Sequence, residues 1–168
     1  MDMHNLYMDC NSIIYDSFYG MTDEEKKKDI AKVLIQKVII KIEEYISIVN
    51  PSDTVIIAFD GVAPMAKLDQ QRTRRYKSWF QSKITNTLFN KTADSWSTAA
   101  ITPGTNFMKQ LNADITTHFQ KHQAPPEIIV SATDNAGEGE HKIFQHIRDY
   151  PTAHADKNTV IYGLDADL

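Results

Sequence analysis

Short, nearly continuous apolar runs alternate along the chain with longer stretches in which apolar residues recur every three or four positions. Runs of the first kind read as strands buried on both faces, and stretches of the second kind as amphipathic helices. Asn5-Leu6-Tyr7-Met8 is the first run and ends on Asp9. Ile13, Ile14, Phe18 and Tyr19 follow at roughly helical spacing. Thr22-Asp23-Glu24-Glu25 has the form of a capping box, a hydroxyl with a carboxylate three residues on. The helix predicted from it carries Ile30, Val33, Leu34, Val38, Ile42, Ile46 and Val49 on one stripe, and Asn50-Pro51 stops it.

Thr54-Val55-Ile56-Ile57-Ala58-Phe59 is the second run, rich in β-branched residues, and it ends on Asp60-Gly61. Pro64 opens a long helical stretch over about 65 to 90, followed by a loop over 94 to 104. Thr105 is the expected N-cap of the next helix, which carries Met108, Leu111, Ile115 and Phe119 on one face and is ended by Pro125-Pro126. A third strand is expected from Glu127 to Ala132. It leads through Asp134-Asn135-Ala136-Gly137-Glu138-Gly139-Glu140-His141-Lys142 into a helical pattern at Ile143, Phe144 and Ile147. A fourth strand, Thr159 to Gly163, runs into Leu164-Asp165-Ala166-Asp167-Leu168. Strands alternating with helices at these lengths predict an α/β fold, a mostly parallel sheet flanked by helices on both faces.

Composition narrows the class. A chain of 168 residues, 42% apolar and 24% charged, sustains one ordinary globular domain with its own core. Its single cysteine, Cys10, excludes a disulfide framework and a thiolate zinc site, and favours a reducing, intracellular compartment, cytoplasmic or nuclear. No apolar run approaches the roughly 20 residues of a membrane span, and Met1-Asp2-Met3-His4 lacks the basic start of a signal peptide. With a net charge of -4, any nucleic-acid contact needs a local basic patch. One exists. Lys67, Arg72, Arg74, Arg75, Lys77 and Lys83 stand against the single acid Asp69. Lys67, Gln71, Arg74 and Arg75 fall at i, i+4, i+7 and i+8 and share a helix face, while Leu68, Tyr76, Trp79, Phe80 and Ile84 mark a different, apolar side. Arginine forks suit phosphate oxygens, so this face is expected to bind phosphate and not merely to be solvated.

The acids carry the second constellation. In a parallel sheet the ligand site lies beyond the carboxyl ends of the strands. Asp9, Asp60, the pair Glu138 and Glu140, and the pair Asp165 and Asp167 each follow a different expected strand. Any one of them is readily a cap or turn residue. Glu138 and Glu140 in particular would complement a helix dipole. Convergence of acids from separate strand ends is harder to ascribe to chance. Carboxylates crowded into one crevice stay ionised only with cations among them. Oxygen-only ligation, without Cys and with few candidate His, suits Mg²⁺ or Mn²⁺, and two such ions would clamp a phosphodiester for hydrolysis.

Several segments together resemble the Xrn family of 5′→3′ exoribonucleases. They are Leu6-Tyr7-Met8-Asp9-Cys10-Asn11-Ser12-Ile13-Ile14, Phe59-Asp60-Gly61-Val62-Ala63-Pro64-Met65-Ala66-Lys67 and Gln70-Gln71-Arg72-Thr73-Arg74-Arg75. Ile101-Thr102-Pro103-Gly104-Thr105, Gly137-Glu138-Gly139-Glu140-His141-Lys142 and Tyr162-Gly163-Leu164-Asp165-Ala166-Asp167-Leu168 continue the family's order to the end of the chain. The resemblance implies a nuclease core of the flap-endonuclease, PIN-like type that removes nucleotides processively from RNA with a 5′-monophosphate. By matching position it implies Asp9, Asp60, Glu138, Glu140, Asp165 and Asp167 as metal-site acids for two Mg²⁺ or Mn²⁺ ions. It implies Lys67, Gln71, Arg74 and Arg75 as the 5′-phosphate pocket. Tyr15 stands where the family has a base-stacking His, and a Tyr ring also stacks. Cys10 and Ser12 replace the family's Met and Gly.

The family's segment before the first strand and its regions after the Asp-Ala-Asp-Leu motif are missing, so residues 1–168 are expected to be part of a nuclease catalytic domain, weak or inactive alone. Two other classes compete with this reading. One is a non-catalytic, RNA-binding pseudonuclease module. The other is a phosphotransfer enzyme with a single essential Asp nucleophile.

Overall fold

Two short runs, the mostly apolar Asn5–Asp9 and the β-branched Thr54–Ala58, set the architecture, because their apolar side chains point to both faces. The computed structural model describes residues 2–62, 65–88, 96–121 and 125–163. Within 65–88 some side chains, including those of Lys67, Gln71, Arg74 and Arg75, lie outside that description. Strands β1 (Asn5–Asp9), β2 (Thr54–Ala58), β3 (Glu127–Ser131) and β4 (Thr159–Tyr162) form one sheet in the order β3-β2-β1-β4. All three pairings are parallel, with Met8 opposite both Ile57 and Tyr162, and Ile57 opposite Val130. The chain steps outward from β1 to β2 and β3, then crosses back to lay β4 on the other side of β1. The two central strands, β1 and β2, are the most deeply buried, as their composition requires.

Side chains alternate across the sheet, so each strand feeds two cores. Leu6, Met8, Val55, Ile57 and Phe59 point into the larger one. That core is completed by α1 (Asn11–Tyr19), α3 (Ile30–Val49) and α5 (Asn106–Phe119), through Ile13, Ile14, Leu34, Val38, Ile42, Met108, Leu111 and Ile115. Tyr7, Ile56 and Ala58 point the other way, onto Ile143 of α6 (Gly139–Asp149), with Ile129 and Ile147 at the margin. The Tyr7 hydroxyl lies 2.7 Å from Nε2 of His154, which ties down α7 (Pro151–His154) on this second face. The sheet is thus covered on both faces, as its sequence predicts, but unequally.

The helix starts show where local chemistry overrode the apolar stripe. The capping box at Thr22 is real, yet it opens only the four residues of α2 (Asp23–Lys26). The long helix begins afresh at α3, because the Asp29 carboxylate accepts from the amide of Lys32 at 3.3 Å and makes a second N-cap. Asn50 closes α3 in the left-handed region, φ 48°, where a short polar side chain is tolerated. Thr105 caps α5 by accepting from the amide of Met108 at 3.3 Å. The expected loop before it contains a short 3₁₀ turn, Thr98–Ala100, capped by Ser97. Helix α4 (Met65–Leu88) fills the expected basic stretch. Three strands end one residue earlier than expected. Phe59, for instance, lies beyond β2, although its amide still donates to the carbonyl of Ser131 at 3.1 Å.

Leu34 and Leu111 are fully buried on opposite helices of the larger core. Leu34→Ala and Leu111→Ala are each expected to lower stability by about 2–5 kcal/mol in urea melts. Ile48→Ala, on the exposed side of α3, should change it by less than about 0.5 kcal/mol.

Candidate active site

Parallel pairing brings the carboxyl ends of the strands to one edge. Asp9 is the last residue of β1, and Asp60 lies two residues past the end of β2. Glu138 is the N-cap residue of α6 and Glu140 lies in its first turn. What joins these elements is a stitched pair of loops. The amide of Gly61 donates to the carbonyl of Gly137 at 2.8 Å, and the amide of Gly137 returns to the carbonyl of Val62 at 3.3 Å. A Cβ at position 61 would fall 1.8 Å from the carbonyl oxygen of Asn135, so only glycine permits this approach. Gly137 sits at φ 103°, a conformation other residues rarely adopt.

Asp60 is the hub of the site. Its Oδ1 accepts from the amide of Gly139 at 2.8 Å, so a residue of the β2 loop caps the first turn of α6. Asn11, at the start of α1, donates from Nδ2 to Asp60 Oδ2 and accepts from the Asp60 amide at 3.2 Å. The amide of Asn11 donates to Asp9 Oδ1 at 3.3 Å. Asp9 lies directly against Gly139, where a Cβ would come within 2.6 Å of Oδ1. Glu138 Oε2 and Glu140 Oε1 lie 3.4 and 3.5 Å from Nδ1 of His141. One potential ligand atom from each of these three residues falls within 4.8 Å of the others. The structure therefore gathers Asp9, Asp60, Glu138 and Glu140 around the N-terminus of α6.

The electrostatics follow from that crowding. Burial pushes the Asp60 carboxyl above its ordinary range, and the charge of Glu138 adds to the shift. The amide of Gly139, the charge of Lys142 and the amide of Asn11 oppose it. Lys142 lies one turn along α6, with Nζ donating to the carbonyls of Phe59 at 2.7 Å and Ala132 at 2.8 Å. Burial lowers its ammonium below the usual range, and Asp60, Asp9 and Asp134 pull it back up. A desolvated carboxylate beside further carboxylates is a donor set that fits a hard divalent cation. His141 adds a borderline nitrogen donor at the exposed rim.

Other expected site residues are placed as follows. Asp165 and Asp167 lie outside the described residues; β4 ends at Tyr162, opposite Met8 of β1. Lys67, Gln71, Arg74 and Arg75 fall on the helical backbone of α4, so their shared face is kept, while their side chains lie outside the described residues. Tyr15 is half-buried on α1 and packs against the larger core. Tyr76, Trp79, Phe80 and Ile84, the apolar side of α4, are exposed rather than core. Reading the sequence for acids overlooked Asn11, His141 and Lys142 as site residues. Asn11 was detectable as a strand-to-helix polar residue two positions past Asp9, and His141 as a metal-type ligand next to Glu140. Nothing local marked Lys142, whose partners are distant in the chain.

A four-stranded, all-parallel sheet flanked by helices, with acids massed at its carboxyl edge, defines a PIN-like nuclease domain. The chain belongs to the family described as the XRN 5′-3′ exonuclease N-terminus, whose model matches residues 1–168. It is 33% identical to 5′-3′ exoribonuclease 2 of Cryptococcus neoformans, over 99% of this chain and 17% of that protein. It is 35% identical to the Aspergillus fumigatus protein of the same name, over 99% of this chain and 18% of that protein. To 5′-3′ exoribonuclease 1 of Saccharomyces cerevisiae it is 30% identical, over 99% of this chain and 12% of that protein. The chain thus spans less than a fifth of the length of these relatives.

A carboxyl whose pKa is raised by folding favours the folded state while protonated, and that contribution is lost as pH rises through the folded pKa. In EDTA, the Asp60 contribution to stability should fall as pH rises above the ordinary carboxylate range. Saturating Mn²⁺ is expected to raise Tm, and to raise it more over the same window, because a bound cation needs the ionised form. Melts at a series of pH values, with EDTA and with Mn²⁺, measure both. A further variant, Gly139→Ala, should lower Tm and reduce the Mn²⁺ shift, since its methyl group would displace Asp9.

Proposed function

We propose that this chain forms part of the catalytic core of a metal-dependent 5′→3′ exoribonuclease acting on RNA with a 5′-monophosphate. The observation that carries the reading is the meeting of Asp9, Asp60, Glu138 and Glu140 from three separate strand ends at the start of α6. The names of the relatives support the reaction class. In this reading Asp9, Asp60, Glu138 and Glu140, joined by Asp165 and Asp167, hold two Mg²⁺ or Mn²⁺ ions. The chemistry such ions supply when bound is polarisation of the phosphoryl group and neutralisation of the charge that builds on its oxygens.

The chain's own groups do the rest. Asn11 fixes the orientation of both Asp9 and Asp60 by hydrogen bonds, so the two carboxylates are held before substrate arrives. The start of α6 contributes the positive end of its dipole to a site that must receive an anionic backbone. Lys67, Gln71, Arg74 and Arg75, on one face of α4, bind the terminal phosphate. That helix begins five residues after Asp60, so the phosphate face starts beside the acid cluster in the chain. A 5′-monophosphate carries nearly two charges at neutral pH, and each charge-assisted hydrogen bond to it is worth about 1.5–3 kcal/mol. Recognition of that end would let each cleavage create the next substrate. Tyr15 is proposed to stack on a base near the cut.

The test is a competition between 5′-phosphate and 5′-hydroxyl RNA of one sequence, in a polypeptide carrying this chain together with the rest of the family's length. Glu140→Gln should abolish hydrolysis while leaving RNA binding within a few fold. Arg74→Ala and Arg75→Ala should each reduce the preference for the phosphorylated end by about tenfold or more, the equivalent of one lost charge-assisted contact. Equal loss of binding to both RNAs would make this face a general backbone contact and overturn the pocket assignment.

A further inference from the structure

Among the described residues, Lys142 is the cation at the acid cluster that neither the acid pattern nor the phosphate face accounts for. Its half-buried side chain runs back from α6 beneath the cluster. The ammonium donates to the carbonyl of Phe59, the residue before Asp60, and to the carbonyl of Ala132, just past the end of β3. It therefore spans the outgoing ends of two adjacent strands and also belongs to the helix that bears Glu138 and Glu140. Its hydrogen-bond partners are neutral carbonyls. The charges that act on it are the carboxylates of Asp60, Asp9 and Asp134. A methyl-terminated side chain of similar length would leave two strand-end carbonyls without these bonds and add nothing to offset the carboxylates.

We propose that Lys142 is a resident counter-cation of the acid cluster, a positioning residue that holds the carboxylates together without metal and keeps divalent binding weak. The inference rests on the metal reading of Asp9, Asp60, Glu138 and Glu140. A fixed positive charge among carboxylates lowers their mutual repulsion, so the cluster can remain assembled when no divalent ion is bound. The same charge repels an arriving cation. Divalent affinity is then set by competition between the metal and the lysine. Weak, exchangeable binding is the result expected for a site that must admit and release an anionic substrate many times.

A merely structural clamp makes the opposite prediction about metal. Losing a clamp loosens Asp60 and weakens metal binding, whereas losing a competing charge strengthens it. Lys142→Gln keeps hydrogen-bond donors and removes the charge, and Lys142→Arg keeps the charge. Mn²⁺ titration of each purified variant, following the free-ion electron paramagnetic resonance signal, gives Kd directly, and melts in EDTA give metal-free stability. Lys142→Gln is expected to bind Mn²⁺ about three- to tenfold more tightly than the parent, by loss of one nearby charge. It should also melt lower in EDTA and recover most of that loss in saturating Mn²⁺. Lys142→Arg should keep the parental Kd within about twofold. Weaker Mn²⁺ binding in Lys142→Gln than in Lys142→Arg would overturn the proposal, as would equal loss of Tm with and without Mn²⁺. Absence of Mn²⁺ binding in the parent itself would instead overturn the metal reading.

Discussion

The hydrogen bond from the amide of Gly139 to Asp60 is the contact on which the rest of the site depends. It joins the loop leaving β2 to the first turn of α6, two segments 79 positions apart. Because Asp60 supplies the cap, the helix start is fixed relative to the sheet and not merely to its own preceding loop. Gly61 and Gly137 make the junction sterically feasible, and Gly139 leaves room for Asp9. A side chain at position 61 would drive these segments apart, and one at position 139 would displace the Asp9 carboxylate. The glycines therefore serve close approach, and the carboxylates meet as a consequence.

That meeting is electrostatically unfavourable, and the fold answers it with fixed positive groups. The N-terminus of α6 presents its dipole to the acids. Asn11 satisfies oxygens of both Asp9 and Asp60. Lys142 places its charge behind them, anchored to the carbonyls of Phe59 and Ala132. Burial, with the charge of Glu138, still pushes the Asp60 carboxyl above its ordinary range. The two-sided core makes this arrangement rigid. β1 and β2 are packed between α6 on one face and α1, α3 and α5 on the other, so the strand ends that carry Asp9 and Asp60 have little freedom to separate.

Much of the frame was legible locally. Strands β1 to β4 were marked by short apolar runs, and α5 by the Thr105 cap with Met108, Leu111, Ile115 and Phe119 on one face. These are signals between residues a few positions apart, where propensity and periodicity act directly. The errors were of two kinds, one local and one long-range. Asp29 out-competed the apolar stripe and started α3 anew, and α7 emerged from Pro151 with His154 held by Tyr7, a residue 147 positions away.

By itself the sequence determined the class of fold, the four strands, and which acids follow which strand. Each of these is a matter of order along the chain and of residue type within one turn or one strand. Only the tertiary structure decided how Asp9, Asp60, Glu138 and Glu140 meet, with Asn11 between two of them and Lys142 behind. Strand order is set by crossover connections and packing, so it leaves no local mark. The partners of Lys142 are backbone carbonyls, which every residue carries. A side chain that recognises backbone leaves no partner signature in the sequence, and only the folded sheet brings Phe59 and Ala132 to the same ammonium.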